Sequence, residues 1–363
     1  MSRKSILWTA VLCSLMIAMV GLTGCRSKEP VVVTPPPVEE IVEEPEGLIY
    51  WPLTGLEAED FQSTLGRTLS VKIDNHPQSG SKFGINSADV VFETLAEGGI
   101  TRFNAIYQSD IPEQVMPVRS ARDSDLHIIP QFGDALFFYS GGNATVLQKL
   151  RDTGVTSMAH GTIGSDLYGR FAGRSAPHNL FVELENAYEV AASRDITTAT
   201  TEVIKGLEFF NTDFEELVAS EDSHPAIEAH IQFSPLSDTR WTWDSESESW
   251  LRSAGGVDQF DGISEEQVFA NNVVVMWAEH SDGSRAGGTV TYDIDLLGGG
   301  NVSVFVDGQR FDGTWEGSAD APPVFKDADG NSILLNPGRT WISVLPHGQE
   351  ISSDAGTAEA VDY

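Results

Sequence analysis

The sequence predicts an α+β protein, in which a mixed α/β sheet domain is followed by a β-rich domain. Strand-like runs occur in both halves, among them Thr68–Ile73, in which apolar residues alternate, and Phe132–Tyr139. The first half also contains helix-like stretches at Thr145–Thr153 and Leu180–Ser193. From Ala226 onward, strand-like runs follow one another and are separated by turn signals such as Asp307-Gly308. The predicted segments are residues 49–200 for the first domain, 201–225 for a connector, 226–348 for the second domain and 349–363 for a tail.

The chain begins with the features of a lipoprotein signal peptide. Arg3 and Lys4 precede an apolar run from Ile6 to Leu22, which is followed by Thr, Gly and Cys25. Small residues before a cysteine suit a lipoprotein signal peptidase, so we expect residues 1–24 to be removed and Cys25 to carry lipid. The alternative is an uncleaved anchor. Both place the domains on the extracytoplasmic face of the cell membrane.

Cysteine usage excludes several kinds of chemistry. Cys13 lies in the apolar run and leaves with it, so the mature chain keeps only the lipidated Cys25. Disulfides, a cysteine-based metal site and a cysteine nucleophile are therefore excluded. The histidines and acids show no recognised spacing of metal ligands, and we expect neither a metal nor another cofactor.

Residues 25–48 are predicted to form an acidic, proline-rich tether. Pro35-Pro36-Pro37 and a series of glutamates favour an extended chain, and the stretch Arg26–Glu46 spans roughly 60 Å at ~3.1 Å per residue. The formal net charge of the whole chain is −32. This charge excludes binding to nucleic acid or to an anionic membrane face through the overall field. We interpret the acidity as typical of a salty or alkaline habitat rather than as a face that binds partners.

Three arginines fall at the ends of predicted extended segments. Arg102 begins the strand Arg102–Gln108, and Arg119 and Arg122 follow the extended piece Gln114–Val118. Glu97 lies between the strand Asp89–Leu95 and Arg102. Arginine presents a planar fork of donors that suits phosphate or carboxylate, so the sequence predicts an anion site here. The alternative is that each arginine pairs with a neighbouring acid.

Two further segments supply candidate ligand-binding residues. Asp74 and His76 follow the strand Thr68–Ile73, at a strand end of the kind where open α/β sheets bind ligands. The alternative is that Asp74 only forms the turn. Arg174 and His178 lie in the polar stretch 158–179, and a long polar loop inside a domain is usually functional or disordered.

The second domain is predicted to have a tryptophan-rich core. Six of the eight tryptophans lie in it, at positions 241, 243, 250, 277, 315 and 341. Aromatic residues at this density favour burial, and stacking on sugars is the alternative. The predicted strands are Ile227–Ser234, Arg240–Trp243, Val273–Glu279, Gly288–Asp295, Val302–Val306, Arg310–Trp315 and Trp341–Val344.

Several long motifs resemble those of the YerB-like bacterial lipoproteins. They are DNHP from Asp74, SADVVFETLAEGGITRF from Ser87, MPVRSAR from Met116, NNVVVMWAEH from Asn271, TYDIDLLG from Thr291 and LNPGRTWISVLP from Leu335. The resemblance implies a two-domain, lipid-anchored protein, mostly of monoderm bacteria. It implies no activity and no catalytic residues, because the function of the family is uncharacterised.

A weaker similarity is to the LytR-CpsA-Psr enzymes, which attach polymers to the cell wall. Ala88-Asp89 precedes one strand and Pro117-Val118-Arg119 ends a later segment, in an order similar to theirs but with different spacing. Fold analogy alone is a poor warrant for function.

Three functions therefore remain open. The first is an envelope lipoprotein that binds an anionic ligand, in which Arg102, Arg119 and Arg122 hold a phosphate or carboxylate. The second is a non-catalytic interaction or scaffold lipoprotein with a protein partner. The third is a polymer-modifying enzyme in which a carboxylate such as Asp74 acts as a base. If the three guanidinium groups converge on an open cleft, the first or the third function is favoured. If each pairs with a buried acid inside the protein, the second function is favoured.

Overall fold

The computed structural model describes residues 47–210, 223–286 and 288–355. The predictions for the signal peptide, Cys25 and almost all of the tether lie outside the described residues, as do positions 211–222 of the predicted connector. Within the described ranges, no helix is long and apolar enough to cross a membrane.

The described chain consists mainly of strands, with short helices in its first half. Four α-helices are present in the described ranges, α1 (Phe61–Thr64), α2 (Asp125–Ile128), α3 (Ala144–Thr153) and α4 (Ala187–Ala192). Short 3-10 helices occur at Pro77–Ser79, Ile85–Ser87, Glu97–Gly99, Ile129–Phe132, Ile163–Leu167 and Leu184–Asn186. The strands up to residue 182 are β1 (Leu69–Asp74), β2 (Val90–Leu95), β3 (Thr101–Tyr107), β4 (Leu136–Phe138), β5 (Thr156–Ser157), β6 (Tyr168–Arg170) and β7 (Leu180–Val182).

The second half contains fourteen of the described strands. Seven of them are β8 (Ser223–Pro225), β9 (Glu228–Ser234), β10 (Ser237–Asp244), β11 (Ser249–Ala254), β12 (Val257–Asp258), β13 (Phe269–Ala270) and β14 (Asn272–Ala278). The others are β15 (His280–Ala286), β16 (Thr289–Ile294), β17 (Gly299–Val306), β18 (Gln309–Glu316), β19 (Val324–Lys326), β20 (Thr340–Pro346) and β21 (Ile351–Asp354). The predicted fold class, a mixed α/β first part followed by a β-rich second part, is confirmed.

One eleven-stranded sheet contains strands from both predicted domains. Its order is β19-β18-β17-β14-β20-β2-β3-β1-β4-β5, with β8 added beside β18. Strand β20 lies between β14 and β2 and is parallel to both. Every residue of β2 is buried, as expected for a strand that is covered on both faces. The domain boundaries stay a prediction, because the two predicted domains share this sheet.

An antiparallel six-stranded sheet packs against one face of the large sheet. Its order is β12-β11-β10-β9-β21, with β13 beside β11. One buried cluster contains Phe103 and Trp341 of the large sheet together with Ile231 and Trp241 of the smaller sheet. Trp241, Trp250, Trp315 and Trp341 are buried, which agrees with the core interpretation of the tryptophans.

The structure corrects the predicted helix Leu180–Ser193. Its first residues, Leu180–Val182, form β7, which pairs with β6, and the α-helix is confined to Ala187–Ala192. The run Leu-Phe-Val is better suited to a strand than to the first turn of a helix.

Two other element predictions are wrong in part. The predicted strand Phe132–Tyr139 shortens to Leu136–Phe138, because Phe132 ends a 3-10 helix and Gly133 turns the chain at φ 71°. The predicted tail, residues 349–363, is ordered at Ile351–Asp354, where β21 pairs with β9. Residues 356–363 of that tail lie outside the described ranges.

Candidate functional site

Asp74 is the centre of the candidate site, and three separate segments converge on it. Asp74 ends β1, and the antiparallel register of β1 with β3 places it opposite Arg102. Arg119 is brought alongside because Val118 bridges to Ile73 and the Arg119 amide donates to the Lys72 carbonyl oxygen at 2.8 Å. His178 reaches the same carboxylate from the polar loop after β6. We call Asp74, His76, Arg102, Arg119 and His178 the Asp74 cluster.

The Asp74 carboxylate is fully buried and contacts four groups. Its Oδ1 lies 3.2 Å from Arg102 Nη1 and accepts from the His76 amide at 3.0 Å. Its Oδ2 lies 3.3 Å from Arg119 Nε and 2.6 Å from His178 Nδ1. Burial acts against the ionised form, yet Arg102 and Arg119 outweigh it and bring the pKa of Asp74 below its ordinary value. Asp74 is therefore a fixed negative charge at neutral pH.

The two histidines of the cluster are stacked. Their ring centroids are 5.2 Å apart and the planes differ by 28°. An ionised carboxylate only accepts hydrogen bonds, so Nδ1 of His178 carries the proton that faces Asp74, and Nε2 is left for another partner. His76 Nδ1 accepts from the Gln78 amide at 3.1 Å, and burial lowers the pKa of His76. The pair therefore places two imidazole rings beside the carboxylate of Asp74.

Arg122 is paired elsewhere, with Glu97. The guanidinium holds this carboxylate at two points, Nε to Oε2 at 2.8 Å and Nη2 to Oε1. Its Nη1 donates to the carbonyl oxygens of Ser120 and Ala121 at 3.1 and 2.9 Å. Burial opposes ionisation of Glu97, but Arg122 overcomes it and lowers the pKa of Glu97 to about 2. Arg122 is thus occupied by internal partners.

Arg102 is also largely committed to the protein interior. It is buried, and its Nη1 donates to the Thr101 carbonyl oxygen at 3.0 Å besides facing Asp74. Burial lowers the pKa of Arg102 to about 10, which leaves the guanidinium charged at neutral pH. Its Nε is buried and has no hydrogen-bond partner within the described ranges.

Arg119 differs from the other two arginines. Its side chain is 22% exposed, and its contact with the carboxylate of Asp74 is through Nε, at 3.3 Å. Within residues 47–210, 223–286 and 288–355, its terminal nitrogens make no hydrogen bond. The Asp74 cluster has two guanidinium groups for one carboxylate, so it has capacity for a further negative charge.

Arg174 does not join the contacts of Asp74. Its Nη1 donates to the carbonyl oxygens of Ser79 and Ser81 at 2.7 and 2.8 Å. The guanidinium lies over the rings of Phe83 and Phe171, at 5.3 and 5.9 Å. Arg174 therefore holds the loop after β1 in place. Like Glu97 and Arg122, it is a predicted ligand-binding residue that lies outside the Asp74 cluster.

A cavity of about 620 Å³ lies beside the cluster. One wall is formed by the loop after β1, including Asn75, His76 and Lys82. The opposite wall is formed by residues 235–239 and 254–260 of the six-stranded sheet. Lys82 was missed in the sequence, because Ser-Gly-Ser-Lys reads as an exposed turn. Within the described residues, no group of three or more histidine, cysteine, aspartate or glutamate side chains is placed to hold a metal ion.

Comparisons with known proteins identify relatives along nearly the whole chain. Residues 53–197 match the model "Protein of unknown function (DUF3048) N-terminal domain", and residues 229–342 match that of the corresponding C-terminal domain. The chain is 29% identical over 350 residues to "Putative lipoprotein YerB" of Bacillus subtilis (strain 168), an alignment that covers 93% of this chain and 95% of the relative. The crystal structure of YerB protein from Bacillus subtilis superposes with a TM-score of 0.72 at 28% identity, covering 84% of this chain and 99% of that one.

Proposed function

The chain belongs to the DUF3048 family of proteins of unknown function, and from that premise we propose that it is a membrane-anchored lipoprotein of the cell envelope that binds an anionic ligand through Arg119. The name of the Bacillus subtilis relative supports the lipoprotein assignment. The lipidated residue in this proposal is Cys25, and the folded part lies on the extracytoplasmic face of the membrane.

The observation that carries the anion site is the guanidinium of Arg119, whose terminal nitrogens make no hydrogen bond within the described ranges. Its side chain is 22% exposed, while Arg102 beside it keeps the local charge positive. A phosphate or carboxylate group suits this fork of donors, and each charge-assisted hydrogen bond contributes ~1.5–3 kcal/mol. Nε2 of His178 adds a further donor when the ring is protonated.

A scaffold function is the second candidate, and the pairing of two arginines favours it. Arg122 is saturated by Glu97 and backbone carbonyls, and Arg102 is buried against Asp74. These two side chains therefore stabilise the fold in either case. A role for Asp74 as a general base is disfavoured, because a carboxylate with a lowered pKa is a poor proton acceptor at neutral pH.

The anion site is tested by thermal melting of the detergent-solubilised protein with envelope anions. The panel contains pyrophosphate, polyprenyl-phosphate mimics, teichoic-acid fragments and muropeptides. A ligand at a hundredfold excess over its Kd stabilises the native state by ~2.7 kcal/mol, so we expect the Tm to rise with a phosphate- or carboxylate-bearing member. The Arg119→Gln protein is expected to lose that rise.

Arg194→Gln is the matched control, because Arg194 is an exposed arginine that pairs with the exposed Asp166. It is expected to keep the full Tm shift. The proposed anion site would be wrong if no anion raised the Tm of the parent, or if the Tm of Arg119→Gln rose with the ligand as much as that of the control. Either result would favour the scaffold function.

A further inference from the structure

Lys82 is a buried amine in the wall of the 620 Å³ cavity. It is 6% exposed, and its backbone is fixed because its carbonyl oxygen accepts from the Gly262 amide at 2.8 Å. The loop that carries it is further braced by Arg174. The side chain is therefore held in place rather than free to reach bulk solvent.

Nζ of Lys82 has two acceptors within the described ranges, which is enough for both N–H bonds of a neutral amine. Nζ donates to Ser79 Oγ at 2.9 Å and to the Gly80 carbonyl oxygen at 2.8 Å. Ser79 in turn donates its own proton to the His76 carbonyl oxygen at 2.6 Å, so it acts only as an acceptor towards Nζ. A neutral amine has two N–H bonds and one lone pair. Both N–H bonds are used, and the lone pair has no donor among the described residues.

Lys72 shows the contrasting arrangement. Its Nζ is also fully buried, but it lies 2.6 Å from the carboxylate of Asp125. Lys82 has no such ion pair within the described ranges, and two guanidinium groups, of Arg252 and Arg174, act on it. Burial first, and then Arg252 and Arg174, lower the pKa of Lys82 to about 7 against the opposing effects of Asp74 and Glu93. A large fraction of this amine is uncharged at neutral pH.

We propose that Lys82 is an amine nucleophile that forms an imine with an aldehyde- or ketone-bearing ligand bound in this cavity. The Nζ lone pair attacks the carbonyl carbon, and the carbonyl oxygen takes up a proton to give a carbinolamine. Loss of the hydroxyl group as water and of the remaining N–H proton gives the C=N bond. The reaction joins one amine and one carbonyl compound, releases one water and needs no oxidant or reductant.

The rim of the cavity indicates what else the ligand carries. Three large apolar side chains line it and are exposed to solvent, namely Leu236 (63%), Val257 (67%) and Phe260 (46%). Exposed apolar groups that are gathered at one place mark a binding surface. A carbonyl compound with an apolar substituent therefore fits better than a fully polar one. The proposal is independent of the anion site at Arg119.

The test is competitive labelling of the wild-type protein at a series of pH values. Hexanal and sodium cyanoborohydride convert each imine into a stable alkyl-lysine, which peptide mass spectrometry locates and counts. At pH 7 we expect Lys82 to react at least about tenfold faster than Lys205, an exposed lysine that pairs with Asp320. The rate at Lys82 is expected to rise with a midpoint near pH 7. Equal rates, or a midpoint near pH 10, would overturn the proposal.

Two comparisons complete the design. The Lys82→Arg protein is expected to lack the fast-reacting lysine, while the Lys205→Arg protein is expected to retain it. Glycolaldehyde, which lacks an apolar chain, is expected to label Lys82 more slowly than hexanal. In the Leu236→Ser protein, the difference between these two labelling rates is expected to be smaller. Labelling of Lys82 at the same rate by both aldehydes would overturn the assignment of an apolar ligand. The central comparison uses lysines of one folded protein, so it does not depend on the stability of any variant.

Discussion

Replacing Asp74 with alanine is expected to lower the free energy of unfolding by ~3–5 kcal/mol, the cost of removing one partner from a buried ion pair. Arg102 is buried and loses the only carboxylate within 4 Å of it in the part of the chain that the structure describes, and Arg119 loses its contact through Nε. The His76 amide and His178 Nδ1 also lose their acceptor. Urea unfolding of the parent and variant, followed by circular dichroism, measures the difference.

The same variant is expected to recover stability when formate or acetate is added. Truncation leaves a carboxylate-sized space that is surrounded by donors, and an anion that binds only the native state stabilises it in proportion to RT ln(1 + [L]/Kd). Asp74→Asn fills that space, so it is expected to show no such recovery. Asp166→Ala is the surface control, because its partner Arg194 is exposed. A stable Asp74→Ala protein, or equal recovery in all three variants, would contradict the role assigned to the Asp74 cluster.

Replacing Arg252 with methionine is expected to be comparably destabilising, at ~3–5 kcal/mol. Arg252 and Glu93 are both fully buried and join the two predicted domains, with Nη2 at 2.9 and 3.2 Å from the carboxylate oxygens. The guanidinium also lies over the ring of Trp341, at 4.9 Å, and contributes cation–π stabilisation. Methionine fills much of the space but leaves Glu93 charged and buried.

The double variant Glu93→Gln, Arg252→Met separates charge from packing. It is expected to be more stable than Arg252→Met alone, because no uncompensated charge is left. Lys326→Met breaks the surface pair with Glu316, whose atoms are 2.7 Å apart, and is expected to cost ~0–1 kcal/mol. Urea midpoints for the three proteins give the comparison. If Arg252→Met lowers the free energy of unfolding no more than Lys326→Met does, the buried pair of Arg252 and Glu93 does not hold the two predicted domains together.

The parts of the structure that follow from local pattern were predictable from the sequence. Alternation and β-branching identified β1, β2 and β3, and the turn Asp307-Gly308 correctly joined β17 to β18. The sequence also selected Asp74 and Arg102 as candidate site residues, but their contact depends on the pairing of β1 with β3, and β2 lies between these strands in the chain.

The remaining features depend on contacts between distant residues. Lys82 is buried because residues 261 and 262 pair with its backbone, and nothing in Ser-Gly-Ser-Lys indicates that partner. The internal pairing of Arg122 with Glu97 was one of two open interpretations, since both partners lie on loops whose approach the sequence does not determine. The place of β20 in the sheet is set by pairing with β2 and β14, and strand order over such separations is not encoded in periodicity.

The position of β20 has a consequence for how the protein is made. Roughly 250 residues separate the end of β2 from the start of its neighbour β20. Strand β2 therefore waits for that partner while the intervening chain is synthesised and, in the exported lipoprotein proposed above, moved across the membrane. During this interval one edge of β2 is unpaired, and an exposed apolar edge is a template for pairing with other chains. The nascent first half therefore needs protection, by a chaperone or by delayed folding, until residues 340–346 emerge.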